Sequence, residues 1–176
     1  MHPAWKIFAA GAIAPIAVSV HATTYFNVAQ AQAQIFPGEK FTELAVNLTD
    51  EQAREIERAS SVDVRNRKLA VWRSGSGGWF LVDEVVGKHE FITFALGISR
   101  DGAVRQVEIM EYRESYGYEV RNEAWRRQFI GKTLAQPIKL TRDIENIGGA
   151  TLSSKNVTNG VRRLHATWDQ VLRKLP

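Results

Sequence analysis

Cysteine is absent from the 176-residue chain, and that absence excludes thiolate nucleophiles, Cys-ligated zinc, iron–sulfur clusters and disulfide redox chemistry. Histidine is nearly as scarce. Of four histidines, His2 and His21 lie in or beside an N-terminal leader, which leaves His89 and His165 for the body of the chain. A His-rich metal site and a Ser-His-Asp triad are both poorly supplied, so neither a metal site nor a catalytic constellation is read from the sequence. The basic excess is small, +4, and it is spread along the chain without interleaved aromatics. That pattern argues against nucleic acid as a partner.

Long hydrophobic runs are confined to the N-terminus. After a short basic start from Met1 to Lys6, Ile7 to Val20 is apolar, rich in Ala and interrupted by Pro15. A spanning helix needs about 20 apolar residues, so the run suits the core of a signal peptide better. Val20-His21-Ala22 offers small residues at the minus-three and minus-one positions of a cleavage site, and Ala31-Gln32-Ala33 is a second candidate. The reading is a signal peptide over 1–22 and a single domain over 23–176; the alternative is a leader retained as a membrane anchor. Twin arginines are absent from the leader, which predicts general export to the periplasm, with any cofactor added there.

A body of this size can bury roughly 70% of its unfolded-chain surface, so it needs no disulfide or structural metal. Thr49-Asp50-Glu51-Gln52 has the form of a capping box and predicts a short helix to about Ala59. Ser74 to Gly78 reads as a turn, and Trp79 to Val86 as a strand. Phe91 to Ile98 is apolar at nearly every position, which predicts a strand covered on both faces. Ser99-Arg100-Asp101-Gly102 closes a hairpin onto a partner strand from Ala103 to Tyr112, with Val107 and Ile109 on one face and Glu108 and Met110 on the other. Asn122 can cap a helix that stacks Trp125 on Phe129 and ends at Gly131. A last helix starts near Ser153 or Ser154 and aligns Val157, Val161, Leu164, Trp168 and Val171; Lys155, Arg162, Arg163 and Arg173 form its solvated side. The expected class is α+β: a largely antiparallel sheet flanked by helices, with a C-terminal amphipathic helix.

The most unusual segment precedes that last helix: Ile147-Gly148-Gly149-Ala150-Thr151-Leu152-Ser153-Ser154. Paired glycines let the backbone approach a ligand, and hydroxyls crowd a helix N-terminus whose amides attract anions. Residue chemistry alone leaves two readings open, a phosphate site or a glycine-rich turn with serine caps.

The run Gly148 to Ser154, followed by Val157-Thr158 and Gly160-Val161, resembles the signature of the FMN-binding domain family, which includes flavin subunits of the sodium-pumping NADH:quinone oxidoreductase and Rnf complexes. Glu114-Ser115-Tyr116-Gly117-Tyr118, with Trp125, Phe129 and Gly131-Lys132 beyond it, is similar to the family's flavin-lining segment, and Val85 to His89 leading into Phe91 to Ile98 is a weaker match. The resemblance implies FMN as cofactor, added by a dedicated flavin transferase through a phosphoester to Thr151. Noncovalent FMN at the same place is the alternative. It further implies that Gly148, Gly149, Ala150, Leu152, Ser153 and Ser154 surround the phosphate, that Tyr116, Tyr118 and Leu152 wall the ring, and that Glu114, Ser115 and Gly117 make polar or backbone contacts. The family has Ser or Thr where this chain has Gly148, and Asp where it has Glu145. The implied function is electron transfer with a membrane or periplasmic redox partner. A flavin-dependent reductase with its own substrate, drawing on Glu114 or His89 as acid, and a flavin-free envelope interaction module are the competing expectations.

Overall fold

Apolar strands in the middle of the chain pair through successive hairpins into one antiparallel sheet. In the computed structural model, which describes residues 23–175, the strands are β1 (Thr23–Thr24), β2 (Phe41–Asn47), β3 (Lys68–Ser74), β4 (Trp79–Val86), β5 (Phe91–Ile98) and β6 (Val104–Tyr112). Their order across the sheet is β1-β6-β5-β4-β3-β2. The leader assigned to 1–22 lies outside the described residues. The β5–β6 hairpin turns at Asp101-Gly102 as the sequence predicts, with Gly102 at φ 90°.

Helices cover both faces of the sheet: α1 (Val28–Ile35), α2 (Asp50–Ser60), α3 (Glu123–Arg126) and α4 (Thr151–Gln170). On one face, Val157, Val161 and Leu164 of α4 join Ile92, Phe94, Leu96, Val107 and Ile109 in the larger core. Each such side chain, fully buried, contributes roughly 1.5–3 kcal/mol before the cost of ordering the chain. Gly160 lets α4 lie close to the sheet, because a Cβ there would meet the Phe94 ring at 2.7 Å. On the other face, Ala31, Ile35 and Phe36 pack over Phe80, Ala95 and Met110. This second layer is why β5 is apolar at nearly every position. The architecture is the expected α+β.

Three expectations are revised by the structure. The last helix starts at Thr151, with Ala150 as a cap residue that lacks a capping side chain, so the serines belong to its first turn. Arg163 does not belong to a solvated side. It is 6% exposed, and its Nη2 lies 2.6 Å from the Asp83 carboxylate. The helix capped by Asn122 is only one turn long and continues as a 3-10 turn over Arg127–Phe129, although Trp125 and Phe129 do meet edge to face at 5.2 Å.

Candidate functional site

Four pieces of chain converge at one end of the sheet: the β4–β5 turn over 87–90, the end of β6, the loop over 113–117, and the head of α4. Tyr112, the last residue of β6, fastens the loop and the helix to its strand. Its hydroxyl donates to the Tyr116 carbonyl at 2.5 Å and lies 3.1 Å from Ser153 Oγ in the first turn of α4. Burial, together with the nearby Glu114 and Glu119 carboxylates, pushes the Tyr112 phenol above its ordinary value, so it keeps its proton at neutral pH.

Between these pieces lies a cleft of about 350 Å³, within the size range of small-molecule sites. It brings together Glu114, Ser115 and Tyr116 from the 113–117 loop with Gly149, Ala150, Thr151, Leu152 and Ser153 at the head of α4. Tyr116 and Leu152 are 83% and 46% exposed, unusual values for large apolar side chains facing one hollow. The other residues singled out by the sequence stand apart from the lining. Gly148 is exposed beside the cleft, with open space where a Cβ would go. Ser154 is buried beneath it. Gly117, at φ 89°, lies where a Cβ would meet the Tyr112 hydroxyl at 2.7 Å, so its role is close packing of loop on helix. Tyr118 opens a 3-10 turn over Tyr118–Arg121 and is not part of the lining.

The head of α4 has the chemistry that suits an anion. Gly149, at φ 82°, turns the chain into the helix, and the first hydrogen bond reaching back to the cap runs from Ser154 N–H to the Ala150 carbonyl. With no capping side chain at Ala150, the amides of Thr151, Leu152 and Ser153 open at the positive end of a 20-residue helix dipole. The Thr151 side chain is exposed there. Lys88 and His89 also line the cleft. Glu114 turns inward. One carboxylate oxygen accepts the backbone amides of His89 and Glu90, the latter at 2.9 Å. Burial alone would raise the Glu114 carboxyl, but these amides outweigh it and hold the group below its ordinary range. Arg113, the neighbouring residue, pairs with Glu111 at 2.9 Å.

Residues 87–166 match the model of the FMN-binding domain family. The chain carries an FMN-binding domain. FMN is therefore its cofactor, and the matched stretch contains the cleft's two principal walls. A solved structure with a similar fold is the third-lettered subunit of the Na⁺-translocating NADH-quinone reductase from Parabacteroides distasonis ATCC 8503, with a TM-score of 0.56 over 86% of this chain and 87% of that chain at 12% sequence identity. No curated protein matches the chain.

The FMN-binding domain's cleft fits its cofactor on the chain's own geometry. Unbonded amides and an exposed hydroxyl suit a phosphate, and exposed apolar side chains beside them suit a flat ring. A slightly larger cleft, about 390 Å³, opens where β3 and β4 part and is lined in part by Asp83 and Arg163, but it contains no residue of the Gly148 to Ser154 or Glu114 to Tyr118 segments. Asn146, which contacts Thr151 through its side chain, and Tyr112, which the sequence marks only as the end of a strand, join the site without a motif to announce them. Asn146 carried no signal in isolation, since its partners lie five and eight residues away in a loop of unspecified shape. Lys88 was read only within the Val85 to His89 match, and the structure places it in the lining.

Proposed function

We propose that this chain is an exported electron carrier of the cell envelope whose single FMN is joined through its phosphate to Thr151. The observation that carries the reading is the Thr151 hydroxyl, exposed at an uncapped helix start and facing a cleft with apolar walls. A phosphodiester at this position keeps one negative charge, which the three free amides of the first turn offset without a dedicated lysine.

FMN, once bound, supplies reversible redox chemistry. The protein's part is to hold the phosphate end and leave the ring at the surface. Tyr116 and Leu152, exposed in the cleft, would cover one side of it, and the cleft's modest size would leave another side open to a partner. That exposure suits a carrier. Glu114 is committed to the 88–90 turn and stays ionised at neutral pH, so it is a poor general acid; this disfavours a reductase with its own substrate. The proposed partners are a flavin transferase during maturation and a membrane or periplasmic redox protein afterwards, and the proposed location is the periplasm.

The reading is tested by producing the chain with and without a flavin transferase and recording intact mass under denaturing conditions. Retention of FMN by the wild type, and its loss in Thr151→Ala, supports the proposal. Flavin that washes out of the wild type on denaturation rejects the covalent link.

A further inference from the structure

Thr151 does not stand alone at the head of α4. Its Oγ1 accepts a hydrogen bond from Nδ2 of Asn146 at 3.2 Å. Asn146 in turn accepts at Oδ1 from the Ser154 hydroxyl at 3.0 Å. Ser154 is 0% exposed, and its one hydroxyl proton is shared among Asn146 Oδ1, the Ala150 carbonyl at 3.0 Å and the Thr151 carbonyl at 3.2 Å. A buried serine therefore anchors an exposed asparagine, which reaches out to the threonine.

The direction of this chain of bonds matters chemically. An amide presents a donor on one side and an acceptor on the other, so with Oδ1 held by Ser154 its N–H group faces Thr151. The Thr151 oxygen is then an acceptor within the protein, and its own proton is free to point outward. The loop does not depend on Asn146 for its course. Trp125 Nε1 holds the Glu145 carbonyl at 2.8 Å, Gln128 holds the Glu145 amide at 2.8 Å, and the Ala150 amide bonds the Ile147 carbonyl at 3.0 Å.

We propose that Asn146 is a positioning residue for flavin attachment, orienting the Thr151 hydroxyl for attack on phosphorus. This inference rests on Thr151 being the acceptor. A phosphomonoester such as FMN has no good leaving group, so the donor must be an activated flavin, a flavin dinucleotide. In the step, Thr151 Oγ1 bonds to the phosphorus that carries the flavin, and the phosphoanhydride bond to the nucleotide breaks. The nucleotide monophosphate departs, and the hydroxyl proton passes to a base of the transferase; no electrons change hands. A hydroxyl already held as an acceptor, with its proton outward, reaches this step without turning over. Once the ester has formed, the Asn146 N–H lies within reach of its oxygens and adds a donor to the three backbone amides.

The test is the initial rate of covalent flavin incorporation into the full chain. It is followed by flavin fluorescence on denaturing gels, with purified transferase, flavin adenine dinucleotide and varied chain concentration. Asn146→Ala is expected to lower the maximal rate about tenfold or more while leaving the half-saturating chain concentration unchanged, because orientation and not recognition is lost. Asn146→Asp, which puts an acceptor and a negative charge beside the hydroxyl, is expected to be as slow. Asn146 is exposed, so both variants should melt with the wild type, and melting curves check this. Incorporation into Asn146→Ala at the wild-type rate, or a loss confined to the half-saturating concentration, overturns the inference. A wild-type chain that takes up no flavin, like Thr151→Ala, would instead reject the acceptor assignment itself.

Discussion

The Glu114 carboxylate occupies the space that a side chain at position 87 would need: a Cβ built on Gly87 would meet Glu114 Oε1 at 2.7 Å. The same oxygen binds the amides of the β4–β5 turn, so one carboxylate ties two walls of the cleft together. Glu114→Ala should cost about 1–2 kcal/mol, the value of charge-assisted hydrogen bonds at a partly solvated site. Because the amides depress the folded-state pKa below the ordinary 4.5, the stabilisation is full above that value and is lost as pH falls through the lower folded value. Acid titration of stability checks this: Glu114→Gln should show a shallower loss below about pH 4.5 than the wild type.

His165 should give the opposite end of the fold a second pH dependence. Its Nε2 lies 2.7 Å from the Gly102 carbonyl, which can only accept, so Nε2 carries the proton of a neutral ring. Burial pushes the imidazole below 6.5, against smaller opposing pulls from Gly102 and Asp169. The unfolded chain thus binds the proton more readily. Stability should be complete above about pH 6.5 and decline as pH falls through the folded value. Melting temperatures of wild type and His165→Gln, compared on both sides of about pH 6.5, should converge on the acid side.

Arg163 and Asp83 join α4 to β4 through a largely buried ion pair. Removing one partner strands the other, so Asp83→Ala should destabilise by about 2–4 kcal/mol, below the full buried-pair range because Asp83 is partly exposed. Urea unfolding of the two single variants and of a double Met/Leu replacement measures it. The double replacement should recover part of the loss.

The glycines around the cleft should differ sharply in tolerance. Gly117→Ala forces a Cβ into Tyr112 and Ser153 at a positive φ, and should cost about 1–3 kcal/mol. Gly148→Ser, placed in open space, should change stability by less than about 0.5 kcal/mol. Thermal melts of the two variants distinguish them directly.

Much of this arrangement was legible in the sequence because local rules and tertiary demands agree. The capping box at Thr49 and Gln52 forms as written, and the apolar run from Phe91 to Ile98 is a strand packed on both sides. The same cap pattern at Asn27 and Gln30 opens α1, yet that helix went unread because its Ala-Gln alternation has little apolar periodicity and lies beside the leader. Ala31 of the second candidate cleavage site is buried in that helix. The burial of Arg163 was not visible either. A charge every few residues along a helix resembles a solvated face until the sheet supplies Asp83. At the cleft, the glycine pair and Thr151 announced themselves by residue type, whereas Asn146 and Tyr112 act through contacts that only the folded loop creates.

Whether flavin joins the chain at the Thr151 hydroxyl is decided by intact-mass analysis of denatured protein that has been matured with a flavin transferase. The wild-type mass should be raised by one FMN less one water, and Thr151→Ala should lack that increment although it melts normally. Finding the same increment on Thr151→Ala would place the attachment elsewhere and remove the role given to the head of α4.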